Sequence, residues 1–181
     1  MSTTRKPPGF FLTPDFISAK TESKYLAYLD SLVFQPTEMR GWALRRQILA
    51  FGTGFGTNFQ STVAAPLLPR RLYALRTRAA SWAGCSASEL SQALVQKYPK
   101  GATIGWHVDA DIFGAPIIGI SFGGTAQLMF RPANRTSGRR AIEIPPRSVY
   151  RLEGPSRSTW LHSIAPVPAS RYSITFRSLA A

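Results

Sequence analysis

The sequence predicts a mainly β, α+β fold, in which N-terminal helices pack on one side of a β jelly roll. Three observations predict it. Helical periodicity is confined to the first half of the chain, over 18–32 and 69–84. From residue 91 onward, short apolar runs are punctuated by Gly and Pro at a spacing that suits a sandwich or barrel. The 14 Gly and 14 Pro in 181 residues supply the many turns such a fold needs.

The elements follow in chain order. Residues 1–8 read as a short mobile basic tail. Gly9-Phe10-Phe11-Leu12 is apolar, and Thr13-Pro14-Asp15 carries a helix-start signal. Tyr25, Leu26, Tyr28, Leu29 and Leu32 then recur at helical spacing. Residues 43–51 read as a strand. From Phe51 to Phe59 three Phe alternate with three Gly, which reads as a flexible loop. The second helix, 69–84, sets Leu72, Leu75, Ala79 and Trp82 on one face. Strands are expected at 91–98, 103–108, 116–122, 126–131, 140–144, 147–152, 159–164 and 171–177. No repeat or linker divides the chain, so one domain spans 1–181, with its jelly-roll core at 90–178.

Composition narrows the class. With 44% hydrophobic and 17% charged residues the chain can bury a core. No apolar run is long enough to span a bilayer, and Met1 to Pro8 lacks the apolar stretch of a secretory signal. Cys85 is the one cysteine, which excludes a disulfide framework and a thiolate metal cluster. A cytoplasmic protein is expected; the sequence sets no oligomeric state, and a monomer is assumed. The net charge is +13, and 17 of the 22 basic residues are Arg. Guanidinium groups grip phosphate in a bidentate way, which favours a nucleic acid partner. Arg enrichment also follows from a GC-rich genome. A membrane surface fits less well, because no basic amphipathic helix accompanies the charge.

Chemistry concentrates around the two histidines. In His107-Val108-Asp109 the imidazole and the carboxylate share one face of a strand and can chelate one ion. His162, in the strand-like run Trp160-Leu161-His162-Ser163-Ile164, can close a 2-His-1-carboxylate triad, a set that suits non-haem Fe(II) and leaves open positions. His-x-Asp alone is weak, and a surface His beside an Asp turn is the bland reading. Arg171, Ser173, Thr175 and Arg177 share one strand face, opposite Tyr172, Ile174 and Phe176. Two guanidiniums opposite an apolar face suit a dicarboxylate held in a barrel lumen. The competing reading is an exposed basic edge strand.

These residues resemble the AlkB-like Fe(II)/2-oxoglutarate dioxygenases. Arg171-Tyr-Ser-Ile-Thr-Phe-Arg177 is similar to the family's Arg-x5-Arg signature. Gly154-Pro155-Ser156-Arg157 ahead of His162-Ser163-Ile164 resembles its Gly-x-Ser-Arg…His-x-Ile segment, and Tyr98-Pro99-Lys100-Gly101 its Tyr-x-Pro-Gly turn with the proline displaced by one. The run from Pro116 to Gly123 resembles its Pro-Ile-x-x-x-Ser-Leu-Gly strand. The resemblance covers residues 90–178 well and the N-terminal part loosely. It implies a double-stranded β-helix, with Fe(II) on His107, Asp109 and His162, and 2-oxoglutarate and O₂ as cosubstrates. Arg171 and Tyr98 would hold the distal carboxylate of 2-oxoglutarate, and Arg177 the carboxylate beside the keto group. Gln96 stands where many members carry Asn, and Ser173 where the DNA-repair members carry Asn; both keep the hydrogen-bonding capacity.

The implied reaction oxidises a substrate C–H bond and releases succinate and CO₂. On an N-methyl group the product collapses to formaldehyde. Asp111 matches a position that contacts the base in some members. Residues 40–70 read as the substrate lid. There Phe51, Phe55 and Phe59 would stack on a single-stranded or flipped base, and Arg45 and Arg46 would hold phosphates. The Phe set reads equally as core. The leading expectation is therefore a demethylase of alkylated DNA or RNA bases. The alternatives are a same-fold hydroxylase or demethylase acting on a protein or small molecule, and a non-catalytic nucleic acid binding module.

Overall fold

The computed structural model describes residues 6–34, 37–39, 42–56 and 61–180. Strand β1 (Phe10–Thr13) precedes helix α1 (Ala19–Asp30). Ser18 caps α1, its side chain accepting a hydrogen bond from the Thr21 amide at 3.2 Å. Short strands follow: β2 (Thr37–Met39), β3 (Trp42–Leu44), β4 (Gln47–Phe51), β5 (Thr53–Phe55) and β6 (Thr62–Ala64). One 3₁₀ turn at Arg70–Leu72 leads into helix α2 (Tyr73–Ala83).

The second half is almost entirely strand. Its elements are β7 (Gln92–Tyr98), β8 (Ile104–His107), β9 (Ile117–Gly123), β10 (Ala126–Pro132), β11 (Arg140–Ile144), β12 (Val149–Leu152), β13 (Trp160–Ile164) and β14 (Arg171–Arg177). A short helix α3 (Gly154–Ser158) sits between β12 and β13. The larger sheet runs β1-β12-β9-β14-β7-β4 and the smaller runs β11-β10-β13-β8. From β7 to β14 the chain alternates between the two sheets, broken by the β10–β11 hairpin. That winding is a jelly roll, and each of the eight expected strands has its counterpart.

Period-2 alternation gives the larger sheet two dry faces. Outside, Val95, Ile118, Ile120, Phe122, Ile174 and Phe176 pack with Leu29 of α1 and with Leu75 and Ala79 of α2. Each fully buried large side chain in this layer contributes about 1.5–3 kcal/mol. Inside, Tyr98, Ile117, Tyr150 and Leu152 meet Leu128, Phe130, Ile144 and Ile164 of the smaller sheet. Gly119 lies opposite Tyr150 across β9 and β12, and a Cβ there would fall 2.2 Å from Tyr150 Cζ. Only glycine lets the phenol lie flat across the lumen.

Three expectations are corrected. The tail is not free from residue 6 on: Arg140 donates to the Lys6 carbonyl at 2.6 Å, and the Ser156 amide to the Pro8 carbonyl at 2.9 Å. Residues 1–5 lie outside the described part. The Gly-rich stretch after Phe51 is not all loop, since β5 pairs with β6. Phe51 is core: β4 pairs with β7, Phe51 opposite Ala93, and this register turns Phe51 toward the helices, where it is buried.

Candidate active site

The sheets bring the two histidines together. His107 and His162 are register partners across β8 and β13, with ring centroids 4.3 Å apart. Nδ1 of His107 donates to the Gly105 carbonyl at 2.8 Å, which leaves the lone pair on Nε2. Asp109, in the turn after β8, places Oδ2 3.5 Å from His162 Nε2. Its Oδ1 accepts a short hydrogen bond from Arg177 Nη2. Arg177 in turn donates from Nη1 to Gln92 Oε1 at 2.9 Å.

Burial and charge set the protonation of these groups. Burial first, and then the charge of His162, push His107 down to about 4, against the opposing pull of Asp109. His107 is therefore a neutral imidazole at physiological pH, with a free lone pair. Burial alone would raise Asp109. The Arg177 guanidinium, with the two imidazoles, outweighs it and holds the carboxyl well below its ordinary range. The carboxylate is turned onto Arg177. Among the described residues no three His, Cys, Asp or Glu groups converge as a finished metal shell.

The far end of the lumen is a buried polar network. Arg171 is 1% exposed, and its Nε donates to Ser121 Oγ at 3.0 Å. Its Nη1 and Nη2 are buried without a hydrogen-bond partner. Its guanidinium carbon lies 5.1 Å from the centre of the Tyr98 ring. Tyr98 donates to Gln96 Oε1 at 3.1 Å, and Gln96 Nε2 donates to Thr175 Oγ1 at 3.2 Å. Arg46 is also buried and donates to the same Gln96 oxygen. Ser173 is buried on the lumen face of β14.

Two cavities meet at the histidine end. A small one of about 60 Å³ runs inward past Gln96, Tyr98, Tyr150 and Thr175. A larger one of about 590 Å³ opens outward past Phe55, Trp106, Ala110 and Asp111. Arg46, Ile104, His107, Asp109 and Arg177 form walls of both.

The sequence-read substrate residues separate here. Phe55 lines the larger cavity and meets Phe113 edge-on, with centroids 5.5 Å apart. Asp111 is exposed on the same wall. Arg46 reaches the lumen rather than phosphate-accessible surface. Arg45 is exposed and lies near Gly101, away from both cavity walls. Phe51 is in the helix-side core, and Phe59 lies outside the described residues.

Sequence reasoning missed several residues. Gln92, which fixes Arg177, shares the lumen face of β7 with Gln96 and Tyr98, so strand parity was a usable signal. Tyr150 had no such signal. Arg157 on α3 belongs to the Gly-x-Ser-Arg resemblance, which gives it no role. It donates to the carbonyls of Asp109 (3.1 Å), Ala110 (2.9 Å) and Phe113 (2.8 Å), clamping the turn that carries Asp109.

Comparison with known proteins fits this geometry. The profile of the 2OG-Fe(II) oxygenase superfamily matches residues 55–177, and the chain belongs to that superfamily. It is 27% identical over 183 residues to the Alkylated DNA repair protein ALKBH8 homolog of Arabidopsis thaliana, covering 87% of this chain and 51% of that protein. It is 28% identical over 147 residues to the Alpha-ketoglutarate-dependent dioxygenase AlkB of Escherichia coli (strain K12), covering 76% and 66%. The chain thus spans less than two thirds of either relative. The structure of OsALKBH1 superposes with a TM-score of 0.73 at 17% identity, covering 96% of this chain and 98% of that one. The expected double-stranded β-helix is thereby established. The chain is an enzyme of an Fe(II)- and 2-oxoglutarate-using superfamily with AlkB-like homologues. Among the described residues no helix is long and apolar enough to cross a membrane.

The residues present fit these groups. Two imidazoles and a carboxylate are the donor set for Fe(II). Arg171, a buried cation with two unpartnered nitrogens, fits one end of a dicarboxylate.

Proposed function

We propose that this chain oxidatively demethylates alkylated bases in nucleic acid, DNA or RNA. The observation that carries the reading is the 590 Å³ cavity beside His107 and Asp109, with Phe55 and Trp106 in its wall and Asp111 exposed on it. Its size falls within the roughly 300–1,000 Å³ of small-molecule pockets, and its aromatics suit the face of an extruded base. The Alkylated DNA repair protein name of the Arabidopsis relative and the +13 charge support the same substrate class.

In this reading His107, Asp109 and His162 hold the iron. Bound together, Fe(II) and 2-oxoglutarate supply the oxidation of a C–H bond by O₂, with succinate and CO₂ as by-products. The chain supplies position and charge. Arg171 and Tyr98 hold the distal carboxylate, with Gln96 and Ser173 lining its path. Arg177, braced by Gln92, holds Asp109 ionised and faces the carboxylate beside the keto group. Residues 40–70 act as the lid, with Phe55 its described aromatic at the cavity.

The test measures succinate and formaldehyde together, using methylated single-stranded oligonucleotides with Fe(II) and 2-oxoglutarate. Formaldehyde is expected to match the succinate released above the background seen without oligonucleotide. Wild-type turnover in His107→Ala or Asp109→Ala would sink the iron assignment. Succinate without formaldehyde, across methylated bases, would sink the substrate class.

A further inference from the structure

The outer face of the smaller sheet carries a cluster that the lumen chemistry does not use. Trp106 precedes His107 on β8, whose pairing with β13 is irregular. Its indole meets Arg131, the strand neighbour of lumen-facing Phe130, which places it on the outer side. His107 faces the lumen, while Trp106 lies outside and also borders the 590 Å³ cavity. Two guanidiniums are held against its indole, that of Arg131 at 5.1 Å and that of Arg139 at 5.9 Å from the ring centre. Arg131 belongs to β10 and Arg139 directly precedes β11, with exposed Arg135 in the turn between them.

These cations have no carboxylate. Among the described residues, the ion pairs involve Arg147, Arg151, His162 and Arg177, and none reaches Arg131, Arg135 or Arg139. Nε of Arg131 is buried without a hydrogen-bond partner. Glu143, the acid on β11, pairs in register with Gln127. That is four residues along β10 from Arg131, roughly 13 Å away. Among the described residues no ion pair answers this charge.

We propose that Trp106, Arg131 and Arg139 form a phosphate-binding track for the strand whose base enters the cavity. The proposal rests on the nucleic acid reading above and adds where the strand runs. The indole fixes both guanidinium planes, so little side-chain freedom is lost when they grip an anion. Charges ranged along a hairpin suit a polyanion better than a single small anion. Because Trp106 adjoins His107 in the chain, a phosphate on the track stands one residue from the reacting end of the cavity.

The test is fluorescence anisotropy with an unmethylated oligothymidylate of about 12 nucleotides, titrated across salt concentrations. Wild type is expected to bind with a steep salt dependence. Arg131→Ala/Arg139→Ala is expected to weaken binding about tenfold or more and to flatten the log–log salt slope by about 1.4, two single-strand phosphates. Trp106→Leu keeps both charges and is expected to weaken binding severalfold with the slope nearly unchanged. Arg70→Ala/Arg71→Ala, the same charge change beside α2 on the far side of the sandwich, is the control and should leave the slope unaltered. Succinate release without nucleic acid should persist in the Arg131/Arg139 and Arg70/Arg71 variants, which reports an intact fold. For Trp106→Leu, whose side chain borders the cavity, an unchanged melting temperature reports the same. If wild type binds and the Arg131/Arg139 variant matches it, the track is overturned while the substrate reading stands. If wild type binds no oligonucleotide but binds polyglutamate or anionic vesicles, both fall.

Discussion

Along β14 the side chains alternate between two interiors. Tyr172, Ile174 and Phe176 are 3%, 0% and 0% exposed under the helices, while Arg171, Ser173, Thr175 and Arg177 are 1%, 1%, 3% and 6% exposed in the lumen. Burial is equal, but its chemistry is opposite. The helix side is filled by apolar atoms and by the Tyr172 hydroxyl, which is satisfied by donating to Asp30 Oδ1 at 2.7 Å, so these side chains need no further partner. The lumen side buries a guanidinium with two orphaned nitrogens. An unpaired buried cation costs free energy unless another group answers it. The helix side therefore stabilises the fold, and the lumen side holds groups in place for something else.

Four measurements would break or sharpen that contrast. The largest effect is expected on the helix side. Phe176→Ala should cost about 3–5 kcal/mol in urea unfolding, while the KM for 2-oxoglutarate in the folded fraction stays unchanged. In the lumen the pattern should invert. Arg171→Met should not lower the urea midpoint, yet should raise the KM for 2-oxoglutarate about a hundredfold, the loss of two charge-assisted hydrogen bonds. A midpoint that drops as far as that of Phe176→Ala would erase the distinction between the faces.

Gly119→Ala should fall between these extremes. Its methyl must displace the Tyr150 ring, so about 1–3 kcal/mol is expected, with partial recovery in Gly119→Ala/Tyr150→Leu. The smallest effect is the pH dependence of the chelator-treated protein. His107 takes a proton at about 6.5 when unfolded but resists it down to about 4 when folded. Between those values the unfolded chain binds more protons, so stability is fully present above the upper one and lost on acidification toward the lower. The melting temperature should fall across that window, and His107→Gln should flatten the decline.

What could be read from the residues followed periodicity. The strands of the second half, the two longer helices, the shared face of Arg171 and Arg177, and that of His107 and Asp109 all rest on spacings of two or on helical repeats. The joining of His162 to His107 rests instead on the donor set and the family resemblance. The structure departs where local pattern is mute. Helix α3 has five residues and opens Gly-Pro, which reads as a turn. Strands β5 and β6 carry too few apolar residues to alternate. Phe51 and Phe55 looked equivalent, and only the pairing of β4 with β7 sends the first to the core. The three backbone bonds of Arg157 have no sequence pattern, because their acceptors are carbonyls that every residue possesses.

Strands β5 and β6 pair with each other and with no other named strand among the described residues. Their base is closed where the Gly52 amide donates to the Pro66 carbonyl at 2.7 Å. Gly52 holds φ at +77°, and a Cβ there would strike the Ser91 carbonyl at 2.1 Å. The hairpin is held to the double sheet at its base, where Gly52 abuts Ser91 and Gln92 Nε2 of β7 donates to the Thr53 carbonyl at 2.7 Å, while it presents Phe55 to the cavity. In engineering terms it is a cassette. Its sequence can be exchanged between Gly52 and Pro66 to alter what is admitted, with the strands that carry His107, His162 and Arg171 left as they are.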